Sequence, residues 1–155
     1  MDVLEIAKNM ELEGKELYET QMKKTNDEGL KKILKMLAEQ EQEHYNIFNA
    51  LQKQNPLKIK KESFKEVKGV FKELRKDIPQ DHIEFYKKVL EIEKKSQQLY
   101  EEIAEKQEDL EKKEIIERIA KEEHKHWIII KNIIDYIKRP EQWVEDPEFH
   151  HLDDY

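Results

Sequence analysis

The sequence predicts an all-α protein built as a four-helix bundle, and three observations support this fold class. Apolar residues recur at helical spacing through most of the chain, and no segment alternates as a strand would. Only three Gly and four Pro occur in 155 residues, so long uninterrupted helices are expected. A shift of 82 residues carries Glu41-x-x-His44 onto Glu123-x-x-His126. The chain is therefore an internal repeat of two similar halves.

The first half predicts two helices joined by a short link. Helix 1 is expected from about Asp2 to Lys24. Asp27 is a good N-cap for helix 2, and Asn55-Pro56 ends that helix. The apolar stripe of helix 1 consists of Val3, Ile6, Ala7, Met10, Gly14, Leu17 and Tyr18. The stripe of helix 2 consists of Leu30, Ile33, Leu34, Leu37, Tyr45, Phe48 and Leu51.

The second half predicts a similar pair of helices. Pro79 and Asp81 open helix 3, and Asp109 caps helix 4, which is expected to run to about Arg139 before Pro140. The stripe of helix 3 consists of Phe85, Val89, Ile92, Leu99, Tyr100 and Ile103. The stripe of helix 4 consists of Ile115, Ile116, Ile119, Ala120, Ile130, Ile133 and Ile137.

The lengths of the links predict how the helices are connected. Short links join helices 1–2 and helices 3–4, whereas residues 56–80 form a long connection. We therefore expect two antiparallel hairpins joined by a crossover, which is the ferritin-like connectivity. The long connection has apolar spacing for a short helix over Phe64, Val67, Phe71 and Leu74. Residues 1–139 would form the bundle, and the aromatic tail, residues 140–155, would pack on the bundle or on a partner chain.

Composition argues against several classes of protein. The net charge is −7 without a block of like charge, which disfavours non-specific binding to nucleic acid. The sequence contains no cysteine, which rules out disulfides, thiolate catalysis and iron–sulfur clusters. The first residues lack a signal-peptide pattern, and no apolar run is long enough to cross a bilayer. We therefore expect a cytoplasmic protein without nucleic-acid or membrane partners.

Six acidic and histidine residues form a candidate metal-ligand set: Glu11, Glu41, His44, Glu93, Glu123 and His126. Each projects into the apolar stripe of its helix, whereas Glu13, Glu43 and His124 project to the edges or outside. Four carboxylates facing one core are unfavourable, because buried like charges raise one another's pKa. Two divalent cations would balance the four negative charges. Oxygen and imidazole ligands without sulfur suit iron or manganese and, less selectively, zinc.

Other residues near this pattern have competing interpretations. Tyr18 and Tyr100 each follow a Glu of the set by seven residues, on the same helix face. They could hydrogen-bond the ligand carboxylates, or they could simply pack in the core. A single Glu-x-x-His pair usually marks a solvated helix face in so charged a chain, and we interpret Glu148-x-x-His151 as chance.

The same residues resemble the rubrerythrin-like branch of the ferritin-like superfamily over about residues 3–138. The matching stretches are Glu11-x6-Tyr18, Ala38-x2-Glu41-x2-His44, Glu93-x6-Tyr100 and Ala120-x2-Glu123-x2-His126. The resemblance implies a carboxylate-bridged diiron site that is held by the six candidate ligands. Full rubrerythrins also carry a rubredoxin domain with a four-cysteine iron site. They have an extra Glu one turn after the helix 3 ligand, where this chain has Ser96.

We therefore expect a non-haem diiron oxidoreductase that reduces peroxide or dioxygen with electrons from an external donor protein. Two iron ions are the expected cofactor, with manganese or zinc as alternatives. Two other functions stay open. One is an iron-binding protein for ferroxidase-like sequestration or metal sensing, and the other is a structural bundle whose Glu and His residues bind zinc or nothing. A homodimer is expected, with the tail and the long connection as candidate interfaces.

Overall fold

A computed structural model of the chain describes residues 2–54 and 82–138. Within these ranges lie four long α-helices: α1 (Val3–Lys24), α2 (Glu28–Gln54), α3 (His82–Glu105) and α4 (Leu110–Lys138). The chain divides into two compact units, Met1–Lys65 and Glu66–Tyr155. Helix α1 packs on α2 in the first unit, and α3 packs on α4 in the second. The all-α fold class is confirmed, and the helix pairs are those of the predicted four-helix bundle.

The N-caps that the sequence predicts at Asp27 and Asp109 are confirmed. Each carboxylate accepts the backbone N–H two residues ahead at 2.9 Å, which satisfies a donor at the helix start. Asp2 does the same for α1, also at 2.9 Å. The links after α1 and α3 have three and four residues. Because such short links reverse the chain, each joins two antiparallel neighbours.

A polar network ties the start of α1 to the end of α2 in the first hairpin. Lys8 Nζ donates to Gln52 Oε1 at 2.8 Å. Gln52 Nε2 donates in turn to Asp2 Oδ2 at 2.9 Å and to Glu5 Oε2 at 2.6 Å. These bonds join residues that are about 50 positions apart in sequence, and they set the register of the two helices.

The predicted apolar stripes are buried, with four exceptions. Ile33, Tyr45, Ile115 and Ile137 are half-buried. Ile33 and Ile115 occupy the same position of the repeat, and each precedes a fully buried residue of its helix. Since successive residues are about 100° apart around a helix, these two isoleucines lie at the edge of their stripes.

Several predictions concern residues outside the two described ranges. They include the short helix over residues 64–74, the start of helix 3 at Pro79 and Asp81, the crossover and the packing of the tail. The boundary between bundle and tail at residues 139 and 140 likewise stays a prediction. Among the helices in the described ranges, none combines the length and the apolar character needed to cross a bilayer.

Candidate metal centre

The first hairpin brings three of the predicted ligands together. Glu11 comes from α1, whereas Glu41 and His44 come from α2. One ligand atom from each residue lies within 4.8 Å of the others. The three residues are 1%, 3% and 1% exposed. We call this set the first cluster. His44 Nδ1 lies 3.4 Å from Glu11 Oε2, so imidazole and carboxylate converge across the two helices.

The second hairpin builds the same set from the second half of the repeat. Glu93 comes from α3, whereas Glu123 and His126 come from α4. Their ligand atoms also lie within 4.8 Å of one another, and the residues are 4%, 1% and 0% exposed. His126 Nδ1 lies 3.7 Å from Glu93 Oε2 and 3.7 Å from Glu123 Oε2. We call this set the second cluster.

Helix geometry explains why each cluster takes two residues from one helix. Residues three apart lie on the same face, so Glu41 and His44 point the same way, as do Glu123 and His126. The face concerned is the apolar one, which packs against the partner helix of the hairpin. The single Glu of the partner helix completes the set. The Glu-x-x-His spacing therefore becomes a three-residue cluster only because the hairpin is antiparallel and in this register.

The separations within each cluster fit a metal ion. Two ligand atoms that are each about 2.1 Å from one ion lie about 3.0 Å apart at a right angle and about 3.4 Å apart at a tetrahedral angle. The 3.4 Å separation of the first cluster agrees with the tetrahedral value, and those of the second cluster exceed it slightly. Carboxylate oxygen and imidazole nitrogen are donors that suit iron, manganese and zinc. Ligation of a metal by these six residues stays a prediction.

Gly14 provides the space in which the Glu41 carboxylate lies. A Cβ atom at Gly14 would be 2.9 Å from Glu41 Oε2 and 3.3 Å from Glu41 Cδ. Contacts below 3.0 Å are essentially never seen for real Cβ atoms. The sequence places Gly14 in the apolar stripe, but the stripe alone does not predict this contact. The available signal is a lone glycine inside a helix, which costs about 1 kcal/mol relative to alanine and so requires a reason.

Large buried side chains flank the single Glu of each hairpin along its own helix. Tyr18 and Tyr100, seven residues after Glu11 and Glu93, are 1% and 0% exposed. Leu4 and Tyr86 are both 0% exposed, and neither belongs to the predicted stripes. They are repeat partners, seven residues before the same two glutamates. The repeat therefore buries a large residue two turns on either side of each Glu. Hydrogen bonding of Tyr18 and Tyr100 to ligand carboxylates stays a prediction.

The polar residues that were expected at the edges of the stripes or outside them do lie there. Glu43 and His124 are exposed, and Glu13 is half-buried. His124 Nδ1 is 3.2 Å from Gln97 Oε1, a contact that bridges α4 and α3. The repeat partners of these two residues, Gln42 and Lys15, form the corresponding bridge in the first hairpin at 2.9 Å. One residue of each bridge directly follows a cluster glutamate: Gln42 follows Glu41, and His124 follows Glu123. The sequence did not predict these bridges.

Comparison with protein families agrees with this arrangement. The model of the family described as Rubrerythrin matches residues 2–149, which is nearly the whole chain. The chain belongs to the rubrerythrin family. Rubrerythrins are ferritin-like diiron proteins, so the resemblance predicted from the sequence is confirmed. The 155 residues of this rubrerythrin-family chain include no cysteine, so they hold no four-cysteine rubredoxin site. No curated protein and no solved structure matches the chain significantly.

Proposed function

We propose that this rubrerythrin-family protein is a non-haem diiron oxidoreductase that reduces hydrogen peroxide or dioxygen. One observation carries the proposal: each hairpin gathers two carboxylates and one imidazole within 4.8 Å, all nearly inaccessible to solvent. Buried groups of this kind are rarely found without a structural or chemical role. Membership of a diiron family supports iron as the metal. Manganese and zinc are the alternatives that this donor set also suits.

The charges of each cluster support one divalent ion per hairpin. Two carboxylates carry a charge of −2 when ionised, and a neutral imidazole adds none. Burying both carboxylates without a cation is unfavourable, because each loses its hydration and repels the other. A divalent ion balances the charge of one cluster. We propose that the chain holds two metal ions, which is the number typical of this diiron family.

The chain's own residues would hold the ligands and keep water away. When bound, two ferrous ions supply one electron each for reduction of the oxidant. Ligands on long helices are held in fixed directions by the packing of those helices. The large buried residues beside Glu11 and Glu93 limit the access of water along α1 and α3. Tyr18 and Tyr100 are proposed to orient the ligand carboxylates through hydrogen bonds.

The proposal also concerns partners and location. Return of the centre to the reduced state would need an external electron donor, for which a rubredoxin-like protein is the expected class. A homodimer and a cytoplasmic location are further parts of this proposal. Sedimentation of the purified chain would test the dimer, since a species of one chain mass, 18.9 kDa, would contradict it.

The first test is the metal content of the protein. The purified chain would be loaded with Fe(II) without oxygen, desalted and analysed for iron. We expect two irons per chain in the parent and fewer than two in Glu41→Gln or Glu123→Gln, because each change removes a charged ligand. Glu43→Gln is the matched control, since Glu43 is exposed and two residues from Glu41. An iron-free parent with an intact helical fold would refute the proposal.

The second test separates an oxidoreductase from an iron-binding protein. The Fe(II)-loaded chain would be mixed rapidly with peroxide, and separately with dioxygen, while iron oxidation is followed by absorbance. Oxidation much faster than that of free Fe(II), repeated after addition of a reductant, supports the oxidoreductase. Bound iron that is oxidised once and then retained supports sequestration. Bound iron that reacts no faster than free Fe(II) supports metal sensing.

A further inference from the structure

The repeat is broken at one position beside the clusters. Gly14 follows Glu11 by three residues, and Ser96 follows Glu93 by three. Both residues are buried. In the first hairpin the Glu41 carboxylate lies where a Cβ at position 14 would be, with only 2.9 Å between Glu41 Oε2 and that Cβ. In the second hairpin Ser96 has a Cβ at the corresponding point of its helix.

The two hairpins therefore differ in the side chain at this position. Glu123 is the repeat partner of Glu41, and its hairpin has a serine where the first hairpin has Gly14. The distance from the imidazole to the single Glu of the hairpin differs as well. His44 Nδ1 lies 3.4 Å from Glu11 Oε2, and His126 Nδ1 lies 3.7 Å from Glu93 Oε2. The two clusters are therefore alike in composition, but the first has a glycine against its Glu41 carboxylate.

We propose that Gly14 is a positioning residue that holds open the place of the Glu41 carboxylate and so sets how tightly that carboxylate binds a metal ion. This inference rests on the proposed metal-binding function. The atom nearest to the missing Cβ is the far end of a flexible side chain. An added methyl group would therefore move the carboxylate and leave the helices in place. Gly14 would act on the ion only through Glu41.

The test is a titration of the metal-free full-length chain with Co(II), followed by calorimetry and by visible absorption. The parent is expected to bind two ions. Gly14→Ala is expected to bind Co(II) about 10- to 100-fold more weakly, the usual effect of disturbing the support of a metal ligand. The visible spectrum of the bound Co(II) should change too. Circular dichroism should show unchanged helix content.

Ser96→Ala is the matched control in the second hairpin. It keeps the Cβ atom and removes only the hydroxyl, so the binding of Co(II) should remain as in the parent. If Gly14→Ala binds two Co(II) ions with the same affinities as the parent, the inference is overturned and the metal-binding function still stands. A parent that binds no Co(II) would instead overturn the proposed function, and the inference would fall with it.

A double-mutant cycle keeps the test decisive even where Gly14→Ala lowers stability. Aspartate at position 41 is one methylene shorter than glutamate and leaves room for a Cβ at position 14. Gly14→Ala should therefore cost much less Co(II) affinity in a Glu41→Asp background than in the parent. An equal loss of affinity in both backgrounds would contradict the positioning role, because a general loss of packing would not depend on residue 41.

Discussion

At the residue scale, the clusters bury charge that folding alone does not favour. Glu11, Glu41 and Glu123 are each at most 3% exposed. An ionised carboxylate in such a place costs several kcal/mol unless a cation or strong hydrogen bonds compensate. Binding of a divalent ion to the folded state would turn this cost into metal-dependent stability, because the unfolded chain offers no preformed site.

Glu41→Gln should separate the stability of the metal-free chain from that of the loaded one. Glutamine keeps the size of the side chain and removes its charge, so the metal-free variant should be at least as stable as the parent. The parent should gain about 2.7 kcal/mol from one site at a free metal concentration 100 times its Kd, and the variant should lose that gain. Thermal unfolding with and without Mn(II) measures both quantities. Glu43→Gln should behave as the parent, and a full metal effect in Glu41→Gln would contradict the assignment.

At the element scale, the aspartate caps decide where α2 and α4 begin. Asp27 and Asp109 are repeat partners, and each accepts a backbone N–H at 2.9 Å. Each cap is the last residue of the short link in its hairpin. The residue at which a helix begins determines in which of its turns the Glu-x-x-His pair lies. The capping aspartate therefore helps to place residues that lie several turns further along the helix.

Asp109→Ala should lower the free energy of unfolding by about 1 kcal/mol, because the first turn of α4 loses its acceptor. Asp109→Asn should retain most of the stability, since asparagine caps a helix about as well as aspartate. Urea unfolding followed by circular dichroism measures both variants. If the asparagine variant were as unstable as the alanine variant, the charge of Asp109 and not its capping bond would be responsible.

At the scale of the whole molecule, the chain repeats one helical hairpin with one cluster in each copy. Both copies have the same residue types at the same spacing, and the two ionised carboxylates of each cluster would be balanced by one divalent ion. Metal binding and stability should therefore be linked through protons in both units. Carboxylates and imidazoles must be free of protons to bind a metal, so acid competes with the ion.

The increase in Tm caused by metal should shrink as the pH is lowered, because protons compete with the metal ion for the imidazole and carboxylate groups of the clusters. The metal-bound form holds fewer protons than the metal-free form. Lowering the pH therefore favours the metal-free form and reduces the increase in Tm. Thermal unfolding of the parent at several pH values, with and without Mn(II), measures this effect. The variant Glu41→Gln/Glu123→Gln should show almost no metal effect at any pH. A metal effect in the parent that grows in acid would contradict ligation by these groups.

The sequence by itself determined the helical class, the repeat, the helix caps and the candidate ligands. These features depend on local spacing, since the helical period places Glu41 and His44 on one buried face whatever packs against it. Family membership followed from the same residues, and the family match confirms it.

Only the tertiary structure decided which atoms meet across a hairpin. The approach of Glu41 to Gly14 and the bridge between Gln97 and His124 both depend on the register of two helices and the distance between them. A shift of one residue along a helix turns a side chain by about 100°, which the pattern of one helix cannot relate to its neighbour. The contact between Gly14 and the Glu41 carboxylate is therefore a tertiary property, although the glycine itself can be seen in the sequence.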